Sequence, residues 1–387
     1  MRYIQQHIQT IVSEYNGGMP LTHYLKNYFR VYPKLGSRDR KLLSEMAYSW
    51  YRCSKGWDAS LSFEEKMNAC LFLCSTNEKL ANYIVPAEWN FNGEASIQDR
   101  LQALESRGMG FDINKIFPYP LQLSDGISRE GWLFSMLQQP SLFIRVRKQK
   151  EQILKLLRDA EISFTQCDEN CLALPNGASI DKLLPEDAYV VQDASSQQTG
   201  TYFHPKANEQ WYDCCSGAGG KSLLLKDMES KVQLTVSDKR DSILHNLKER
   251  FKLYHLTPPA SYNIDVADKQ QLNNNLGKQQ FDNIICDVPC TGSGTWARTP
   301  EQLYFFEPRV ADEIAALQKK ISSNVVSVLK NGGRLIYITC SIFREENENV
   351  VKTLLKNVAL EIEDTKLING IGNKADSMFI TVLQKKA

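Results

Sequence analysis

The sequence has ten cysteines but no C-x-x-C pair, and no Cys/His grouping at zinc spacing. Structural zinc and a thioredoxin-like redox centre are therefore not expected, nor is any other bound metal. No run of residues approaches the roughly 18 apolar positions that a membrane-spanning helix needs. The opening segment MRYIQQHIQTIV is too polar for a secretory signal. Internal repeats and low-complexity stretches are lacking too. Charge of one sign is not in excess: 46 basic residues face 45 acidic ones, so bulk charge names no partner. These absences point to a reduced, cytoplasmic protein away from the membrane. Several cysteines sit inside apolar runs, as Cys70 and Cys74 do in NACLFLCS, and read as small core residues.

At 387 residues the chain has room for two or three domains. Its basic residues are unevenly placed. Residues 1–60 carry nine Lys/Arg against four acids, and a second knot, RVRKQK, spans Arg145 to Lys150. Each is either a solvated face or a surface for RNA. Residues 1–112 read as a helical domain. In LGSRDRKLLSEMAYSWYRC, Ser37 is a plausible N-cap, and Leu42, Leu43, Met46, Ala47 and Trp50 recur at helical spacing. The break FPYPLQLSDG leads into residues 113–200, where strand, helix and strand signals (SLFIRVRK, KEQILKLLRDAE, CLALPNG) suggest a small α+β lobe. From 201 to 387 apolar strands alternate with helices, which predicts an α/β domain with a doubly wound, mostly parallel sheet. The terminal SMFITVLQKK reads as a last strand returning antiparallel at the edge.

Every motif of interest falls at the carboxyl end of one of those strands, where ligands of such sheets gather. YDCCSGAGGKSLLL places three glycines and a lysine at the start of a helix. A phosphate-binding P-loop would need glycine at Cys215, so that reading fails. The dinucleotide pattern G-x-G-x-x-G fits at Gly217 and Gly219 but has Ser222 in the third place. Asp238, closing TVSD, is placed to accept hydrogen bonds from ribose hydroxyls. A nicotinamide dinucleotide and S-adenosylmethionine both satisfy that much. Asp265 follows a third strand-like run and Asp287 ends a fourth; Cys290 comes shortly after Asp287, and Cys340 sits in TCS on the next strand end. Hydride transfer has no use for two such cysteines.

DCCSGAGGKS, SDKR, DVPCTGSGTWARTPE and TCSIFREENENVV together resemble the successive motifs of the RsmB/Sun/Nop-type RNA cytosine-C5 methyltransferases. The resemblance is strong over roughly residues 190–387 and faint in SRDRKLLSEMAYSWYR, where it suggests a partly NusB-like RNA-binding domain. It implies a Rossmann-like class I methyltransferase domain, S-adenosylmethionine as cofactor, and 5-methylcytosine as product, with ribosomal RNA favoured over transfer RNA. By residue, it implies Cys340 as nucleophile, Cys290 as the group promoting release, and Asp287 beside the cytosine or the amino-acid end of the cofactor. The cofactor would lie against Cys215, Ser216, Gly217, Ala218, Gly219, Gly220 and Lys221, with Asp238 on the ribose and Asp265 near the adenine. RNA contacts are expected from Arg145, Arg147, Lys148 and Arg298, and a monomer is expected. The sequence departs from the family pattern at Ala218, where a proline is usual, at Ile243, where an arginine is usual, and at Arg147, where an asparagine is usual. An RNA-binding or ribosome-assembly factor that keeps the fold without the activity is the alternative, against which the intact cysteines and acids speak.

Overall fold

The apolar stripes of the first 140 residues pack as helices in the computed structural model, which describes residues 2–386. The chain divides into two compact units rather than the three expected. One comprises Met1–Leu121, Ser128–Pro140 and Thr295–Pro308; the other comprises Gln122–Ile127, Ser141–Gly294 and Arg309–Ala387. No described helix is long and apolar enough to cross a membrane.

In the helical unit, the helix Ser37–Cys53 buries the predicted stripe of Leu42, Leu43, Met46, Ala47 and Trp50. Ser37 is its first residue rather than its cap. Gly36 holds the cap position, and its N–H donates to the Asp39 carboxylate at 3.3 Å. The next long helix, Phe63–Cys74, opens on a reciprocal pair in which Ser62 and Glu65 satisfy each other's backbone N–H groups. Cys70 and Cys74 are fully buried there, with Cys53 packed 3.5 Å from Cys74 sulfur to sulfur. Burial pushes the Cys53 and Cys74 thiols well up, which leaves them inert core residues. The segment Thr295–Pro308 was expected inside the α/β domain, yet it folds with these helices. Glu301 accepts a hydrogen bond from the Leu21 N–H at 3.1 Å, and Trp296, Leu303 and Phe306 are buried.

The second unit holds two sheets. The smaller is antiparallel throughout, with β1 (Leu142–Val146), β2 (Thr165–Gln166), β3 (Cys171–Leu174) and β4 (Tyr189–Val191) in the order β2-β3-β1-β4. The helix Lys150–Asp159 covers one face through Ile153, Leu154 and Leu157. This is the α+β lobe expected for residues 113–200, here part of the same unit as the large sheet. Arg145 and Arg147 do not face solvent as the RNA-binding reading required. Their side chains are 8% and 10% exposed, and both converge on Asp227 at 2.6 and 2.7 Å. Arg145 also donates to Gln192 at 2.9 Å, and Arg147 lies over the Tyr254 ring. Arg145 is in β1 and Arg147 follows it by two residues, just past the strand's end, and both side chains are turned inward onto Asp227. Lys148, half-exposed, pairs with Asp187.

The large sheet contains β5 (Gln210–Asp213), β6 (Gln233–Asp238), β7 (Ala260–Asn263), β8 (Phe281–Asp287), β9 (Leu329–Thr339), β10 (Leu360–Ile368) and β11 (Met378–Lys385). Their order is β10-β11-β9-β8-β5-β6-β7, with β9, β8, β5, β6 and β7 parallel. Alternate residues bury on opposite faces. Tyr212, Ile284 and Tyr337 join one core with the helix Arg309–Val325, while Trp211, Ile285 and Ile338 join another with the helices Gly220–Met228 and Asp241–Leu253. The predicted last strand does return antiparallel, but as β11 it lies between β9 and β10 rather than at the edge. The edge belongs to β10, whose sequence LEIEDTKLI is largely exposed and so carries little apolar signal.

Candidate active site

The order of the parallel strands sets the order of the site. Reading across their carboxyl ends from β9 to β7 gives Cys340, then Asp287 and Cys290, then Asp213 and the glycine turn, then Asp238, then Asp265. A cavity of about 410 Å³ runs along them, and Cys215, Asp238, Asp265, Asp287, Cys290 and Cys340 all line it. Ile264, Val266, Leu317 and Ile321 supply its apolar wall. The remaining residues expected at the cofactor, Ser216 to Lys221, shape the turn beside this cavity without lining it.

Backbone geometry explains the glycines. Gly217 and Gly219 adopt φ of +51° and +84°, in the left-handed region. A Cβ on Gly219 would also meet the Leu247 side chain at 2.9 Å, so this position admits nothing larger. The Gly217 N–H donates to Asp238 at 3.1 Å, Ser216 bonds the Ser237 carbonyl through both its N–H and its hydroxyl, and the Ala218 carbonyl accepts from Arg250 at 2.6 Å. Small residues suffice at Ala218 because the turn is held by its neighbours. Gly220 begins the following helix. Lys221 is buried with its Nζ 3.0 Å from the Ser196 hydroxyl and 3.1 Å from the Asp287 carboxylate. The lysine that makes this turn look like a phosphate loop therefore serves a carboxylate instead.

Asp238 lines the cavity, and its oxygens already have partners. Arg240 donates to it from its backbone N–H at 2.9 Å and from its guanidinium at 2.9 and 3.0 Å. Burial pushes the Asp238 carboxyl up, yet the hydrogen bonds from Arg240 and Gly217 outweigh it and hold the group below its ordinary value. The Arg240 side chain is 58% exposed, so its pairing with Asp238 is a weak, solvent-screened one.

Asp213 differs. It is fully buried, takes one hydrogen bond from Ser222 at 2.6 Å, and its other oxygen has no partner among the described residues. Burial pushes its carboxyl up to about 7; the Ser222 hydrogen bond opposes this, as does Lys221, while Asp287 and Asp238 reinforce it. The folded chain thus keeps a proton there that the unfolded chain gives up near pH 4. Stability should fall as pH rises from about 4 to 7 and stay lower above that range, by a few kcal/mol. Urea unfolding of Asp213→Asn across pH 5 to 8 should show this fall removed; a variant whose pH dependence matches the parent would show that Asp213 ionises normally.

At the other end of the cavity the Cys290 and Cys340 sulfurs lie 3.0 Å apart, each partly exposed. The contact with Cys340, then burial, then the nearby charge of Glu346 push the Cys290 thiol well up. Of the four RNA contacts expected from sequence, Arg145 and Arg147 are committed to Asp227, Lys148 to Asp187, and Arg298 lies in the helical unit with its N–H on the Thr295 carbonyl. None of them lines this cavity.

Residues 200–384 match the family described as 16S rRNA methyltransferase RsmB/F. The ribosomal RNA small subunit methyltransferase B of Escherichia coli O6:K15:H31 is 31% identical over 229 residues, which is 57% of this chain and 52% of that protein. The chain spans about half the length of the curated relatives it matches. The crystal structure of PH0851 superposes with a TM-score of 0.68 at 19% identity, covering 95% of both chains. NSun6 from Pyrococcus horikoshii, solved with SFG, gives 0.58 at 16% identity over 67% of this chain and 94% of its own. These likenesses identify the large sheet and its helices as a class I methyltransferase fold. Within the matched residues, Cys290, Cys340 and the strand-end aspartates Asp238, Asp265 and Asp287 line one cavity, with the glycine turn beside it. Sequence reasoning missed a polar group behind the cysteines, in which half-buried Thr291 joins the buried Gln318, Ser341 and Glu346. The glutamate in REENENVV, the segment after TCS, was the available signal.

Proposed function

We propose that the chain is an S-adenosylmethionine-dependent RNA methyltransferase that forms 5-methylcytosine in small-subunit ribosomal RNA. The observation that carries this reading is the pair of touching sulfurs on neighbouring strand ends, opening on a cavity walled by three carboxylates. The cavity suits the cofactor chemically. Asp238 would hold the ribose, Ile264, Val266, Leu317 and Ile321 offer an apolar face to the adenine beside Asp265, and Asp287 lies at the end nearest the cysteines. The bound cofactor supplies a methyl group activated on a cationic sulfur, which carboxylates rather than a phosphate nest would favour.

Cytosine carbon 5 is a poor nucleophile. Addition of the Cys340 thiolate to carbon 6 makes an enamine, and carbon 5 then becomes reactive enough to accept the methyl group. Asp287, which accepts from Lys221 at 3.1 Å, would hold the exocyclic amine and the ring N–H of the adduct and so stabilise it. Cys290, as thiolate, takes the carbon 5 proton; the electron pair re-forms the ring double bond and expels the Cys340 thiolate. The base must be unpaired or extruded to reach this depth. Bisulfite sequencing of total RNA from cells with and without the gene tests the product: loss of a 5-methylcytosine in small-subunit RNA is expected. A profile that is unchanged there and altered in transfer RNA would move the activity to that substrate.

Asp238→Ala should weaken cofactor binding by about 1.5–3 kcal/mol, the range of charge-assisted hydrogen bonds. Arg240→Ala should not weaken it, because the arginine occupies the carboxylate that the ribose would use. Calorimetric titration separates the two. Equal affinity in the parent and in Asp238→Ala would remove this carboxylate from the site.

A further inference from the structure

Glu346 lies just beyond β9 and is wholly buried. One carboxylate oxygen accepts from the Thr291 N–H at 2.8 Å and from Gln318 Nε2 at 3.1 Å. The other accepts from the Thr291 hydroxyl at 2.5 Å and the Ser341 hydroxyl at 2.6 Å. Thr291 directly follows Cys290, and Ser341 directly follows Cys340. One side chain therefore ties together the two loops that carry the sulfurs. Gln318 reinforces the tie by donating to the Pro289 carbonyl at 2.9 Å, on the other side of Cys290. The Tyr337 hydroxyl anchors the Glu346 backbone carbonyl at 2.6 Å.

A carboxylate buried with no lysine or arginine paired to it is costly, and a neutral side chain of similar size would cost less. What a neutral aliphatic side chain cannot do is accept from four donors on three segments at once. We propose that Glu346 is a positioning residue, whose carboxylate fastens the Thr291 turn to Ser341 and so fixes the contact between the Cys290 and Cys340 sulfurs. Its use in catalysis rests on the reading of the two cysteines given above; its effect on the sulfur contact does not. The same carboxylate adds to the upward shift of the Cys290 thiol, so it also favours the proton staying on Cys290.

Sulfur proximity can be measured without RNA or cofactor. An azodicarboxamide oxidant such as diamide takes two thiol protons and two electrons, forming one disulfide and the corresponding hydrazine. The rate of the Cys290–Cys340 disulfide, followed by non-reducing peptide mapping, reports how often the sulfurs meet. In Glu346→Ala it should form at least about tenfold more slowly than in the parent, because ångström-scale misplacement has effects of that size or larger. Glu346→Gln, which keeps the shape and one acceptor oxygen, should recover most of the rate. Methylation by Glu346→Ala should lose kcat with the KM for RNA unchanged. A folded Glu346→Ala protein, by circular dichroism, that forms the disulfide at the parental rate would overturn the proposal. Should Glu346→Ala fail to fold, Ser341→Ala decides: a slower disulfide upholds the tie, and an unchanged rate overturns it. A parent protein that never methylates RNA would sink the functional reading while leaving this result intact.

Discussion

Cys290→Ala should accumulate an RNA–protein adduct that survives denaturing electrophoresis, and Cys340→Ala should accumulate none. The two sulfurs touch, yet their removal is expected to give opposite products. Without Cys340 no thiolate adds to carbon 6, carbon 5 stays unreactive, and neither methylated RNA nor a covalent complex forms. Without Cys290 the addition and the methylation still occur, but the carbon 5 proton stays in place and Cys340 cannot leave. The band should disappear in the double variant. A band trapped in Cys340→Ala instead would reverse the two roles. Both variants making 5-methylcytosine with no band in either would end the covalent mechanism.

Asp227→Ala should destabilise the chain by about 3–5 kcal/mol, the cost of leaving buried charges without their partner. This carboxylate receives both Arg145 and Arg147, whose side chains have almost no access to water to compensate. The midpoint of urea unfolding measures the loss. The same geometry predicts that neutralising Arg145 and Arg147 lowers stability and leaves the salt dependence of RNA binding unchanged, since neither guanidinium is available to a phosphate. An unmoved unfolding midpoint together with a flatter salt dependence would return the pair to the RNA surface.

These arginines show where the sequence stops being legible. A run such as RVRKQK has the composition of a basic patch, and composition does not say which way a strand faces. The period-two spacing of Arg145 and Arg147, running off a strand otherwise made of Leu, Phe, Ile and Val, was the usable clue, because it put both charges on one side. The parallel strands were readable because apolar runs buried on both faces need no register information to be recognised. β10 escaped because an edge strand with one wet side lacks such a run. The clustering of residues at the strand ends was readable because cysteine, aspartate and glycine are costly or unusual there. Glu346 was not, because its importance lies in contacts between Thr291, Ser341 and Gln318 that only the fold brings about. The allocation of Thr295–Pro308 was hidden for a related reason: its aromatic residues mark it as buried without saying in which core.

That allocation bears on how the chain can be cut. The helical unit is not a leading bead that a deletion could remove, since part of it is encoded between β8 and β9. A fragment beginning at Gln122 would still carry Trp296, Leu303 and Phe306 without the helices that precede Gln122 in the same unit, and would offer a sticky aromatic loop to other copies. Truncation should therefore yield insoluble protein unless that loop is shortened at the same time. For the same reason, recombination could exchange the amino-terminal helices between relatives only if this internal loop travelled with them, so the two separated stretches of the gene are bound to be inherited together.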